Sequence, residues 1–235
     1  MTNYAQMERR LTDVLGLSRR PVAIAFRDTP PEGVLPLSGT QPSGCSFWRL
    51  AAGGQVFYTV PSDHFNCSVG CYTHNIALPP EREADLTSTL GLMVDIGYIK
   101  LDEVPGITRL PKTPAVTIYA PLSQTPVAPD AVVVAGKPAK LMLLHESAIR
   151  AAKSVLPLLG RPTCMAIPAA LSGGVASSLG CIGNRVYTGV TDDQFYTVVS
   201  GSDLDVIAAE LETIVLANAR LAEYHQIRRA TLTTA

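Results

Sequence analysis

The sequence predicts an α/β or α+β fold, a mixed sheet with flanking helices, and three observations predict it. Short β-branched runs bounded by Pro and Gly, such as Val116-Thr-Ile-Tyr-Ala120 and Ala131-Val-Val-Val-Ala135, read as buried strands. Longer stretches between them repeat apolar residues at helical spacing. The 235 residues are 47% hydrophobic and 17% charged, enough to bury a core and too apolar for a disordered chain. That length reads as a single globular domain, residues 1–235, divisible into pseudo-repeated half-domains at about 1–110 and 111–235.

The elements follow in order. Residues 3–16 place Tyr4, Met7, Leu11, Val14 and Leu15 on one helical face, and Pro21 to Phe26 is a short apolar strand. Residues 28–44, rich in Pro and Gly, form a loop. Cys45 to Ala52 is a short helix ended by Gly53-Gly54, and Gln55 to Val60 a strand closed by Pro61. Residues 62–80 are an irregular loop. Pro79-Pro80, Glu81 and Glu83 open a helix striped by Leu86, Leu90, Met93 and Val94. After the two β-branched runs, His145 to Leu159 is helical, Cys164 to Ile167 is a strand stopped by Pro168, and Phe195 to Val199 is another strand. The last helix runs from about Asp203 to Arg228, capped by Ser202. A weak echo links residues 45–71 with 147–181; each ends in Gly-Cys, at Gly70-Cys71 and Gly180-Cys181.

Nineteen basic and twenty acidic residues give a net charge of −1, which leaves no electrostatic footprint for nucleic acid or an anionic membrane. The N-terminal residues lack an apolar signal core, and the longest charge-free run, Pro162 to Asn184, is broken by Gly and Ser. A cytoplasmic protein is expected. Five cysteines, an odd number, do not suit a disulfide frame there. No dinucleotide fingerprint, phosphate loop, nucleophile elbow or H-E-x-x-H motif is present. Pro168 to Leu179, small and uncharged, reads either as tight packing or as a cradle for a small anion or cofactor.

The chemistry concentrates in Gly44-Cys45-Ser-Phe-Trp48, in His64-Phe-Asn-Cys67-Ser-Val-Gly-Cys71-Tyr-Thr-His74 and in Gly180-Cys181-Ile-Gly-Asn184-Arg185. Cys164 sits in an apolar run and reads as core. The other four lie in or beside loops, mostly close to glycine, where thiolates can converge and backbone can approach them. Four thiolates suit an iron–sulfur cluster, most simply [4Fe–4S], or a closed zinc site. Cys67-x3-Cys71 matches the start of the radical S-adenosylmethionine triplet, but His74 stands where its third cysteine would be. His64 and His74 are substitute ligands or orienting groups. Trp48 is core or a cover over the site. Arg185 balances thiolate charge or forms a surface ion pair.

These segments, with Pro21-Val-Ala-Ile, Gly54-Gln-Val-Phe57-Tyr58, Asn66-Cys67-x-x-Gly70, Pro129-Asp130-Ala-Val-Val-Val, Ser178-Leu-Gly180-Cys181-x-Gly183-Asn184-Arg185 and Gly201, resemble an uncharacterised prokaryotic family, domain of unknown function number 169. The resemblance spans most of the chain and implies that Cys45, Cys67 and Cys181 belong to the family pattern. If Cys71 does not, the site has three thiolates and an open or exogenous fourth position.

The expected function is therefore an iron–sulfur protein, with Cys45, Cys67, Cys71 and Cys181 as ligands, in electron transfer or redox chemistry on a small molecule. The alternatives are a metal-free thiol enzyme or sulfur carrier, a zinc-stabilised domain and a haem-binding module. Expected partners are a small molecule or a redox protein, with no nucleic acid and no membrane. The apolar helix 203–228 packs internally or builds a homodimer.

Overall fold

A computed structural model describes residues 2–233; Met1, Thr234 and Ala235, included in the single-domain span read from the sequence, lie outside it. The order is α1 (Tyr4–Leu15), β1 (Val22–Arg27), α2 (Gly44–Ala52), β2 (Phe57–Thr59), α3 (Ser68–Thr73), α4 (Pro80–Asp95), β3 (Val116–Pro121), β4 (Ala131–Gly136), α5 (Pro138–Arg150), α6 (Ala166–Leu171), β5 (Val175–Ser178), α7 (Ile182–Thr188), β6 (Phe195–Ser200) and α8 (Leu204–Thr233). Of the two classes expected, this is α+β: every ladder between the strands is antiparallel. Among the described residues, parallel pairing enters only as isolated bridges along the outer strands.

The sheet order is β2-β3-β1-β4-β6-β5. It reads the same from either edge, as second, third and first strand of one half, then first, third and second of the other. At the centre Ala23 faces Val132. Each half follows one plan. An inner strand leads, directly in the first half and through α5 in the second, to an extended segment that runs parallel to the outer strand, through Pro36 beside Tyr58 and through Val155 and Leu159 beside Val175 and Ser178. A cysteine (Cys45, Cys164), a short helix (α2, α6) and a Gly-Gly pair (Gly53-Gly54, Gly173-Gly174) come next. After the outer strand (β2, β5) a cysteine caps another short helix, Cys67 at α3 beyond a 3-10 turn (Pro61–His64) and Cys181 at α7 shortly after β5. The middle strand closes each half. Residues 77–115, with α4, have no counterpart after α7.

Alternation along the strands sends side chains to two cores. Ala23, Val132, Val134 and Val199 face α1, α5 and α8. Val22, Ile24, Ala131, Val133, Tyr119 and Val198 face α2 and α6. The second core contains Cys45 and Cys164, so the thiol chemistry lies on that side of the sheet. Only the first half of α8 is buried, through Leu204, Ile207, Ala208 and Leu211; Leu216, Leu221, Tyr224 and Ile227 are exposed. Among the described residues no helix is long and apolar enough to cross a membrane.

Several elements differ from expectation for local reasons. The helix expected over His145 to Leu159 begins earlier, at Pro138, and stops at Arg150. Ala152 takes a left-handed φ of 55°, and Pro157 then holds the chain extended. The strand expected at Cys164 to Ile167 is a 3-10 turn, Thr163–Met165, running into α6. Pro168 is the third residue of α6, in a first turn that needs no proline N–H. Pro168 to Leu179 is not a loop: it holds most of α6 and all of β5, whose four residues are buried. Residues 62–80 contain a helix, α3. Asp203, and not Ser202, immediately precedes α8; Ser202 Oγ pairs with Ser200 Oγ at 2.9 Å.

Candidate functional site

Two packings across the halves build the site. α2, which carries Cys45, packs against α7, which Cys181 caps. α3, which Cys67 caps, packs against the Thr163–Met165 turn, which holds Cys164. Two hydrogen bonds fix the second contact and its continuation: Thr73 Oγ1 donates to Cys164 Sγ at 3.3 Å, and Cys181 N–H donates to Thr163 Oγ1 at 2.6 Å. Thr73 and Thr163 have no motif in the sequence; their role follows from contacts across the chain.

Cys45 and Cys164 are buried, whereas Cys67 and Cys181 keep partial access to solvent. Burial pushes the Cys45 thiol well up, and the charges of Cys164, Cys67 and Cys181 push it further. Burial also raises Cys67, with Cys181 adding to it, while the nearby N–H groups of Gly44 and Gly70 partly offset the rise. Cys164 is raised by burial and then by Cys67, with Cys181 adding. All six pairs among Cys45, Cys67, Cys164 and Cys181 are therefore within electrostatic reach. Cys71 is different. Its thiol donates to the carbonyl of His64 at 3.1 Å, and of the other thiols it senses Cys67; burial leads in pushing it up to about 12. The sequence grouped Cys71 with Cys45, Cys67 and Cys181 and left Cys164 apart; the structure brings Cys164 beside Cys45, Cys67 and Cys181. Among the described residues, no three His, Cys, Asp or Glu side chains are placed to hold a metal ion as they stand.

His64 and His74 lie under this region with ring centroids 5.7 Å apart. His64 Nε2 pairs with Thr59 Oγ1 at 2.9 Å, and His74 Nδ1 with the Gly70 carbonyl at 3.0 Å. Burial takes His64 down to about 3 and His74 to about 4, so both imidazoles are neutral. Among the described residues, His64 Nδ1, His74 Nε2 and both amide atoms of Asn184 are buried without a hydrogen-bond partner. Asn184 sits beside Cys45 and eases its ionisation. Trp48 is buried in the core, edge-on to Tyr196 at 5.4 Å. The Arg185 guanidinium is spent on the carbonyls of Leu179, Thr191 and Gln194, and lies 3.6 Å from Asp192. It clamps the loops on either side of α7.

A family model, domain of unknown function number 169, described as an uncharacterised ArCR, matches residues 10–210. The chain belongs to this family. No curated protein and no solved structure matches the chain. The family motifs recognised in the sequence acquire physical reasons in the fold. Asp130 accepts the Phe26 N–H at 2.6 Å and an Arg27 N–H at 2.7 Å, which pins β1 beside β4. Gly201 donates to the Asp130 carbonyl at 2.8 Å, and a Cβ there would stand 1.8 Å from the Pro129 oxygen. Gly70 faces Cys67: a Cβ would come within 2.9 Å of the sulfur. Family motifs thus mark both the central strand pair and the thiols.

Proposed function

We propose that this protein binds an iron–sulfur cluster, most simply [4Fe–4S], and uses it for electron transfer or for redox chemistry on a small molecule. The observation that carries this reading is the convergence of the three separate segments that hold Cys45, Cys67 and Cys181: α2 packs against α7, and α3 against the Thr163–Met165 turn whose Thr163 accepts the Cys181 N–H. Buried thiols that oppose one another's ionisation are stable as thiols alone. A polycationic iron core reverses that balance, because each Fe–S bond replaces a proton and the metal charge offsets the thiolates. The unpartnered imidazole and amide atoms also support a bound group. A buried polar atom without a partner costs about 1–3 kcal/mol, and one of these residues, Asn184, lies beside Cys45. Partly exposed Cys67 and Cys181 mark the side from which a small molecule or a redox protein approaches.

The metal-free thiol enzyme fits less well. A nucleophilic cysteine needs a lowered pKa, and Cys45, Cys67, Cys71 and Cys164 are all raised. The deciding measurement is iron and acid-labile sulfide on protein purified without oxygen, with its absorption spectrum. Near-equal iron and sulfide on a brown protein is the expected result. Zinc without sulfide selects the zinc-stabilised domain, and a Soret band selects haem. Colourless protein free of metal overturns the proposal and leaves thiol chemistry.

A further inference from the structure

We propose that Cys164, and not Cys71, is the fourth ligand, so that Cys45 and Cys67 of the first half and Cys164 and Cys181 of the second surround one cluster on the axis relating the halves. This rests on the cluster reading above and completes its ligand set.

The palindromic sheet makes the assignment. Each half places one cysteine at the start of its first short helix, Cys45 as the second residue of α2 and Cys164 in the turn that leads into α6, and one at the cap of its second, Cys67 and then Cys181. The cysteines occupy matching places, one after the extended segment that borders the outer strand and one between that strand and the second short helix. The contacts cross the axis in the matching sense, α2 against α7 and α3 against the Cys164 turn. Cys71 has no counterpart in this scheme. It lies inside α3, one turn after Cys67, with its thiol turned to the carbonyl of His64. In a four-iron cubane each thiolate binds its own iron. The four sulfurs need only enclose a common volume, and the packing of α2 against α7 and of α3 against the Cys164 turn brings together the segments that carry them. On binding, each thiol gives its proton to solvent as its Fe–S bond forms.

The test reconstitutes the full-length chain anaerobically with ferrous and ferric iron in equal amounts and sulfide, as wild type and as Cys45→Ser, Cys67→Ser, Cys71→Ser, Cys164→Ser and Cys181→Ser. Wild type and Cys71→Ser should each bind about four irons and four sulfides, whereas Cys164→Ser should lose them as fully as Cys45→Ser. Circular dichroism and melting confirm the fold, and Cys164→Ala, which keeps a small apolar side chain, replaces a serine variant that fails to fold. Full loading of folded Cys164→Ser or Cys164→Ala overturns the assignment. So does loss of the cluster in folded Cys71→Ser, a result that needs no Cys164 variant. If wild type takes up no iron, cadmium alone is titrated and its thiolate charge-transfer absorption is read. Loss of that absorption in the Cys164 variants but not in Cys71→Ser keeps the thiol assignment while the cluster reading falls. No cadmium binding by wild type overturns both.

Discussion

The two halves share a frame and fill it differently. In the first half the wall behind Cys45 and Cys67 is aromatic: Phe47 lies 4.9 Å from His64, 5.3 Å from Tyr119 and 6.3 Å from Phe57, measured between ring centroids. In the second half the wall behind Cys164 and Cys181 is small, with Ala166, Ala169, Ala170, Ala176 and Ser178 all buried. Large rings span the gap between helix and sheet in one half, and close backbone approach closes it in the other. A cysteine's place in this fold therefore depends on the course of the backbone, which two unrelated packings produce. The corollary is that the halves tolerate different damage.

The largest expected contrast lies in the two Gly-Gly pairs. Gly54 and Gly174 both have positive φ, 108° and 86°. A Cβ at Gly54 would meet nothing closer than Arg20 Nη1 at 3.6 Å, the movable end of a side chain. A Cβ at Gly174 would stand 2.0 Å from the Ser154 oxygen, on the extended segment bordering β5. Gly54→Ala should cost about 1–2 kcal/mol, the penalty for the left-handed backbone. Gly174→Ala adds a backbone collision and should exceed about 3 kcal/mol. Urea unfolding of the two variants measures the gap. Equal losses would mean that the second half is as loosely closed as the first.

A smaller contrast concerns how the outer strands are tied down. β2 is held on its outer edge by backbone alone, Leu37 N–H donating to the Tyr58 carbonyl at 2.8 Å and Tyr58 N–H to the Leu35 carbonyl at 3.0 Å, with no charge involved. β5 has in addition Asp203, which accepts the Gly174 N–H at 2.8 Å and pairs with Lys153 at 2.8 Å. Its side chain is 11% exposed, so solvent screens these contacts little. Lys153 first, and then the Gly174 N–H, hold the Asp203 carboxyl below its ordinary value of 3.8. The stability this supplies is complete above that value and disappears as pH falls through the lower folded-state value. Asp203→Asn should therefore cost about 1–3 kcal/mol near neutral pH, and the difference from wild type should shrink below about pH 4. Unfolding of both proteins across that range checks the sign; a difference that grows with acid would refute it.

The sequence made the frame more legible than the site. β1, β3, β4 and β6 stand out because their β-branched or apolar runs are bounded by Pro, Gly or polar turns. β5, Val175-Ala-Ser-Ser178, carries no such signal; it is a strand because β6 pairs with one edge and residues 154–159 with the other. The error with most consequence came at Pro168. A short apolar run before a proline suits a strand end and the entry to a helix equally. Reading a strand there shifted the internal echo by one Gly-Cys unit. It matches Cys71 with Cys181, where the fold matches Cys67; Cys164, read as core, is buried in the core. The meeting of the thiols depends on α2 against α7 and α3 against the Cys164 turn, and local periodicity carries no information about such pairings.

The finest contrast tests the two capping cysteines through glycines of their own helices. Gly70 in α3 and Gly183 in α7 both follow a capping cysteine. At Gly183 a Cβ would meet only Tyr187 Cε2, at an ordinary 3.8 Å. Gly183→Ala should therefore raise stability by about 0.5–1 kcal/mol, the helix preference of alanine. At Gly70 the same Cβ would lie 2.9 Å from Cys67 Sγ, and the sulfur must move to admit it. The gain in helix preference is then offset locally, and net stability should change by less than about 1 kcal/mol. What separates the variants is the thiol. Native-state alkylation followed by peptide mapping should show an altered rate at Cys67 in Gly70→Ala and unchanged rates throughout in Gly183→Ala. If Cys67 reacts in Gly70→Ala as it does in wild type, its sulfur is not held against Gly70, and the position of this thiol is looser than that of its counterpart in the other half.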